Sequence, residues 1–246
     1  GSGGVVGEGR VGRADGRVDM KSVLGGKGAN LAEMARMGLP VPPGFTIATT
    51  VCKRFGENGN RLPEGLWDGV EAALRHIETA LGGTFGAGPS PVLVSVRSGA
   101  AVSMPGMMET VLNVGLNDAT REALAQKTGN RRMALDSHRR LIQMFARVVL
   151  ELDSAEFEYA LEALRGRREV EHDHQLTEAD LEELLEIYRE IFATGAGRPF
   201  PDDPREQLRL AIEAVFNSWQ CDRAVKYPSL NRIEGLVGTA VNVQAM

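Results

Sequence analysis

Cysteine is nearly absent from this chain. Cys52 and Cys221 stand far apart in 246 residues, which excludes a disulfide framework or a paired-cysteine metal site and suits a reducing cytosol. No apolar run approaches the length of a membrane span, and the N-terminus lacks the hydrophobic core of a secretory signal; the expected location is cytoplasmic, with no membrane partner. Excess positive charge is missing too, since 28 Lys and Arg against 33 Asp and Glu leave a formal net charge of −5. That balance gives no general attraction to nucleic acid, so any anion site must be a local cluster of cations. Internal repeats and low-complexity segments are also lacking. Histidine offers no metal centre: His172 and His174 flank Asp173 in a charged link with no further ligand nearby, His76 lies on an amphipathic helix, and His138 reads as helix packing.

What remains is an ordinary globular composition, 43% hydrophobic and 25% charged, in a chain long enough to bury a substantial core. Leu31, Met34 and Met37 give residues 28–37 a helical spacing that Gly38 and Pro40 end. Residues 43–47 read as a strand, and residues 63–81 as a helix with Trp67, Val70, Leu74 and Ile77 on one face. Two further runs, 91–94 and 111–115, suit buried strands. From Asn117 the pattern turns wholly helical, with a stripe at Leu135, Leu141, Ile142, Phe145 and Val148. Asp153 with Glu156, and Thr177 with Asp180, have capping-box spacing, and Gly166 and Gly195 read as the terminators of the helices that follow. A last helix from Pro204 leads into a C-terminal strand. These segments predict an α+β fold: a mixed α/β lobe over 1–116 and 204–246, interrupted by an all-helical subdomain over 117–203.

Between the strand runs lies Ser95-Val96-Arg97-Ser98-Gly99-Ala100-Ala101-Val102-Ser103-Met104-Pro105-Gly106-Met107-Met108-Glu109-Thr110. It sets an arginine at the root of a loop of small residues with two glycines. Glycine lets backbone N–H groups approach phosphate oxygens, and a guanidinium holds those oxygens in bidentate geometry. The Met-Pro-Gly-Met-Met core closely resembles the ATP-binding segment of the pyruvate, phosphate dikinase family. Two other stretches resemble the same family in the same order. Leu24-Gly25-Gly26-Lys27-Gly28-Ala29-Asn30-Leu31-Ala32-Glu33-Met34 is similar to its phosphate-binding lysine motif, and Gly238-Thr239-Ala240-Val241-Asn242-Val243-Gln244-Ala245-Met246 to its nucleotide-site strand. Arg223 and Tyr227 fit a further family pattern, although Pro228 stands where the family usually has arginine.

The resemblance implies an ATP-grasp-type domain, in which two lobes clamp ATP and the first is interrupted by a small helical subdomain. It implies Lys27 and Arg97 as catalytic cations on the ATP polyphosphate, and Gly99 and Gly106 in a loop over the phosphates. Thr110 and Gln244 would lie in the nucleotide site, and Mg²⁺ would accompany ATP. The implied reaction turns ATP, pyruvate and phosphate into AMP, phosphoenolpyruvate and diphosphate, by way of a histidine on a separate phosphohistidine domain of the same polypeptide. None of the four histidines sits in the family's Thr-Ser-His type motif, and no metal ligand is assigned within the chain. Both are expected beyond Met246, with the second lobe, so the isolated chain is expected to be inactive. A homodimer of the full-length protein is left open.

On the residues alone, each assignment has a plainer counterpart. Lys27 could be a solvated lysine in a glycine turn, Arg97 half of an internal ion pair, and the methionines packing residues. Glu109 fits either a metal-associated carboxylate or a solvated strand position. Asn242 and Gln244 alternate onto one strand face, so either amide could meet a base or ribose, the motif favouring Gln244. Arg131-Arg132, Arg139-Arg140 and Arg167-Arg168 suit a solvated face, or for the first two a cleft lining. Two other functions stay open. One is another dikinase or phosphotransferase of the same superfamily, and the other is a non-catalytic nucleotide-binding module.

Overall fold

The computed structural model describes residues 4–8, 14–101, 109–220 and 238–246. Gly106, the methionines around it, Arg223, Tyr227 and Pro228 lie outside the described residues. The strands are β1 (Val5–Glu8), β2 (Gly44–Ile47), β3 (Thr84–Phe85), β4 (Pro91–Val92), β5 (Val94–Gly99), β6 (Thr110–Val114) and β7 (Ala240–Ala245). The helices are α1 (Lys21–Arg36), α2 (Thr49–Glu57), α3 (Leu66–Leu81), α4 (Asp118–Thr128), α5 (Arg131–Val149), α6 (Ala155–Arg168), α7 (Glu178–Ala196) and α8 (Pro204–Ser218). This is the α+β composition that the sequence predicts. The chain forms two compact units.

The first unit takes Gly1–Gly82, Val94–Thr110 and Arg209–Met246. Its sheet runs in the order β1-β2-β7-β5-β6, and β6 leaves the unit after Thr110. Antiparallel pairing sets Thr46 and Arg97 on either side of Asn242, and Gly44 and Ser95 on either side of Gln244. Directly opposed residues share a face, and the face alternates with each step along a strand. One face therefore carries Gly44, Thr46, Asn242, Gln244, Ser95, Arg97 and Gly99. The other carries Phe45, Ile47, Val241, Val243, Val94 and Val96, all fully or almost fully buried. Burying such side chains drives the unit's folding at about 25 cal/mol per Å² of apolar surface.

Helix α1 begins earlier than its spacing suggested, because Gly25 (φ 68°, ψ 168°) breaks it and a first turn precedes the break. Helix α2 has no signal in the sequence: Thr49, Thr50 and Val51 read locally as strand-like, and only tertiary burial of Val51, Cys52 and Phe55 makes the segment a helix. Phe55 stacks at 5.3 Å on Phe216 of α8.

The second unit takes Gly83–Leu93 and Val111–Leu208, so the short β3–β4 pair and most of β6 group with the helices rather than with the first unit. Phe145, Phe192 and Phe200 pack ring against ring, with Phe145–Phe200 and Phe192–Phe200 centroids 5.3 Å apart. Phe157 meets Tyr188 edge-on at 5.0 Å, and the Tyr188 hydroxyl donates to the Phe157 carbonyl at 3.0 Å. Thr177 and Asp180 form the expected capping box. Asp153 and Glu156 do not: Asp153 Oδ1 accepts from the Ala155 N–H at 3.0 Å, and the cap residue Ser154 makes no side-chain bond. The terminators also differ. Helix α6 runs through Gly166 to a left-handed Glu169 (φ 57°), and α7 runs through Gly195 to Gly197 (φ 66°). Gly195 instead makes room for the Leu152 side chain.

Candidate phosphate-binding site

Apart from Ala240, the residues that the three central strands put on one face are polar or glycine, and α1 lies against that face through glycines. A Cβ on Gly28 would come within 2.8 Å of Thr46 Oγ1 and 2.9 Å of Asn242 Oδ1, and one on Gly25 would overlap the Gly99 carbonyl oxygen. The Gly26 N–H donates to the Ala100 carbonyl at 2.9 Å. The glycine turn of α1 thus docks on the C-terminal end of β5, where Arg97 stands. The first turn after the break presents backbone N–H groups and the positive end of a helix dipole, both suited to an anion.

Lys27 lies in that turn, half-buried, and its Nζ donates to the Ser98 carbonyl at 3.3 Å. Burial lowers the lysine pKa, and the nearby Arg97 guanidinium lowers it further. Arg97 Nε is buried with no hydrogen-bond partner. Among the described residues no carboxylate pairs with Lys27 or Arg97. Asn242 between them is 1% exposed; its Oδ1 accepts from Thr46 Oγ1 at 3.0 Å, and its Nδ2 has no partner. Burying cations beside each other without a counter-charge is unfavourable unless an anion completes the site. The arrangement can hold a polyanion with several oxygens.

Lys27, Arg97 and Gly99 come together, and a Cβ on Gly99 would lie 3.7 Å from Lys27 Cβ. Gln244 sits two residues beyond Asn242 on the same face, 9% exposed, and its Nε2 donates to the Pro42 carbonyl at 3.4 Å. Thr110 starts β6, half-buried, one residue after Glu109, whose carbonyl accepts from the Ser98 N–H at 3.0 Å. Gly106 lies outside the described residues. Sequence reasoning missed Thr46 and left Asn242 second to Gln244. The signal was present in the period-2 polar alternation shared by 44–46, 95–99 and 242–244.

No group of three His, Cys, Asp or Glu side chains able to hold a metal occurs among the described residues. The His172 and His174 rings stack on each other at 5.3 Å. In the helical unit the arginine pairs are engaged rather than free. Arg131 reaches Glu122, Glu178 and Glu182, and Arg132 donates to the Asp173 and Leu176 carbonyls. Arg139, expected on a solvated face, is buried between Asp136 (2.8 Å) and Asp173 (3.0 Å).

The family model described as "Pyruvate phosphate dikinase, AMP/ATP-binding domain" matches residues 21–66 and 60–246. The chain is 52% identical over 235 residues to pyruvate, phosphate dikinase 2 of Zea mays, covering 96% of this chain and 26% of that protein. It is 53% identical over 235 residues to pyruvate, phosphate dikinase 1, chloroplastic, of Arabidopsis thaliana, covering 96% and 24%. The rice protein of the same name is 51% identical over 235 residues, covering 96% and 25%. The chain therefore spans about a quarter of the length of the curated relatives it matches.

Proposed function

The chain belongs to the pyruvate phosphate dikinase AMP/ATP-binding domain family, and from this premise we propose that its polar sheet face grips the polyphosphate of ATP in a dikinase reaction. The carrying observation is that Lys27 and Arg97, with no carboxylate partner among the described residues, meet where a glycine turn docks on a strand end. Lys27 takes phosphate oxygens as a point charge, and Arg97 takes them with a directional fork. Negative charge spreads over the transferred oxygens during phosphoryl transfer, so fixed cations there stabilise the transition state as well as the bound nucleotide.

The wider reaction in this proposal is the family's. The β-phosphate of ATP passes, by way of a pyrophosphoryl-enzyme, to a histidine of a phosphohistidine domain; inorganic phosphate accepts the γ-phosphoryl group, and phosphohistidine converts pyruvate to phosphoenolpyruvate. Gly99 and Gly106 would frame the loop over the phosphates, Thr110 and Gln244 would line the nucleotide site, and the helical unit would be the insert of an ATP-grasp lobe. Mg²⁺ would arrive with ATP. No group of three His, Cys, Asp or Glu side chains among the described residues is placed to hold it. The setting proposed is a reducing cytoplasm.

Adding ATP to the ¹⁵N-labelled chain should shift the Gly26 and Gly99 amides and the Asn242 side-chain amide while leaving α6 and α7 unmoved. Lys27→Gln and Arg97→Gln should each weaken the apparent affinity about tenfold, since hydrogen bonds to charged groups contribute roughly 1.5–3 kcal/mol. Shifts confined to the helical unit, or unchanged affinity in both variants, would overturn the reading.

A further inference from the structure

We propose that Asn242 is a positioning residue whose neutrality keeps Lys27 and Arg97 unneutralised, so that their charge is directed to a bound polyphosphate rather than to an internal ion pair. The inference rests on the phosphate-binding reading above and extends it to the residue opposite Arg97 on the central strand.

Asn242 is 1% exposed and wedged between two backbones that can approach it only as glycine. A Cβ at Gly28 would come within 2.9 Å of its Oδ1, and one at Gly99 within 2.5 Å of its Nδ2. Gly28 adjoins Lys27 on α1, and Gly99 follows Arg97 by two residues on β5. The amide therefore sets the gap between the two segments that carry the cations. Asn242 is also the register partner of Arg97, which brings opposed Cβ atoms to about 5 Å.

A buried asparagine kept only for structure normally has both ends of its amide satisfied. Here Thr46 Oγ1 bonds one end, while Nδ2 and the neighbouring Arg97 Nε both lack partners. An aspartate fits the same space, with an oxygen where Nδ2 now stands. It would accept from Thr46 and place a fixed negative charge beside both cations, closing the site on itself. Nearly the same volume thus separates an open anion site from a self-neutralised one, and in either orientation of the amide Asn242 carries no charge. The neighbouring polar position of the same face, Thr46, is likewise uncharged.

Asn242→Asp, Asn242→Leu and Asn242→Ser separate charge from shape in the 246-residue chain. ATP and inorganic tripolyphosphate binding would be followed by calorimetry, and the Lys27 amino group by NMR pH titration. Asn242→Asp should weaken both ligands by about tenfold or more and raise the pH at which Lys27 titrates. The neutral variants should lose clearly less affinity than Asn242→Asp and leave the Lys27 titration in place, with Ser as the check should Leu fold poorly. Equal losses in Asp and in the neutral variants, or an unmoved Lys27 titration in Asn242→Asp, would overturn the proposal. If the wild type binds neither ligand while Asn242→Asp still raises the Lys27 titration, the nucleotide reading falls and the charge-setting role of Asn242 stands.

Discussion

Replacing Gly25 by alanine should damage this protein more than replacing either of two other glycines near it in sequence. Gly25 has φ 68° and ψ 168°, a region that is essentially glycine-only and costs another residue about 1–3 kcal/mol. Its Cβ would also overlap the Gly99 carbonyl oxygen. That oxygen belongs to β5, held by pairing from Val94–Ala245 to Gly99–Ala240, so it cannot swing aside as a side-chain tip could. Overpacking of this kind costs about 1–3 kcal/mol more. The sum is about 2–6 kcal/mol, which for a chain of this length lowers Tm by roughly 4–24 °C. Gly26 is the internal control. Its Cβ would meet only the Ala101 and Ala100 carbonyl oxygens at 3.5 and 3.6 Å, an ordinary contact, so Gly26→Ala should stay within about 0.5 kcal/mol of the wild type. Gly38 has φ +81° and nothing within 4 Å; Gly38→Ala should show backbone strain alone, about 1–2 kcal/mol. Thermal and urea unfolding followed by circular dichroism would measure all three. A Gly25→Ala protein that melts with Gly38→Ala would refute the docking of the α1 turn on β5.

The helical unit supplies two further tests. His138 is fully buried, and burial first, then Arg189 and Arg121, push its pKa down to about 3. Below the unfolded value of 6.5 the unfolded chain therefore binds more protons than the folded one, so stability is full above about pH 6.5 and falls steadily toward pH 3. His138→Phe, beside Phe200 at 6.2 Å, should flatten that slope in pH-dependent urea unfolding; an unchanged slope would assign it to other groups. Arg139, with 3% of its side chain exposed between Asp136 and Asp173, should cost about 2–3 kcal/mol as alanine, because both carboxylates lose this partner and keep only Arg140 and Arg165. The adjacent Arg140, 54% exposed on Asp136, should cost less than about 1 kcal/mol; equal losses would contradict the burial difference.

The sequence was most legible where periodicity and local chemistry agreed. The α3 face from Val70 to Ile77, the Thr177–Asp180 cap, the run 111–115 that forms β6 and the C-terminal strand could all be read before any coordinates, whereas the run 91–94 stops where β5 begins. It was least legible where tertiary contact overrode local signals. Three consecutive β-branched residues open α2, and its burial against the sheet unit decides for helix. Gly166 and Gly195 looked like stops, but a helix ends where its carbonyls find other partners; Glu169 supplies the left-handed turn in one case and Gly197 in the other. In the site, motif reading singled out Lys27, Arg97 and Gly99. It could not show that Asn242 lies opposite Arg97, or that Gly28 is glycine because Thr46 and Asn242 occupy the space of its Cβ. Those facts belong to register, which pairs residues about 145 positions apart in sequence.

The most direct test of the polyphosphate site is the titration of the Lys27 amino group by NMR, with and without saturating ATP. In the free chain, burial and Arg97 should hold its pKa below the ordinary lysine value of 10.5. Stability should accordingly rise with pH from the folded value toward 10.5, where the unfolded chain binds the extra proton. A phosphate anion beside Lys27 favours the charged form, so ATP should raise its pKa, and at pH values between the two limits binding should take up a proton, seen as a binding enthalpy that varies with the buffer. A Lys27 titration identical with and without saturating ATP would contradict the assignment.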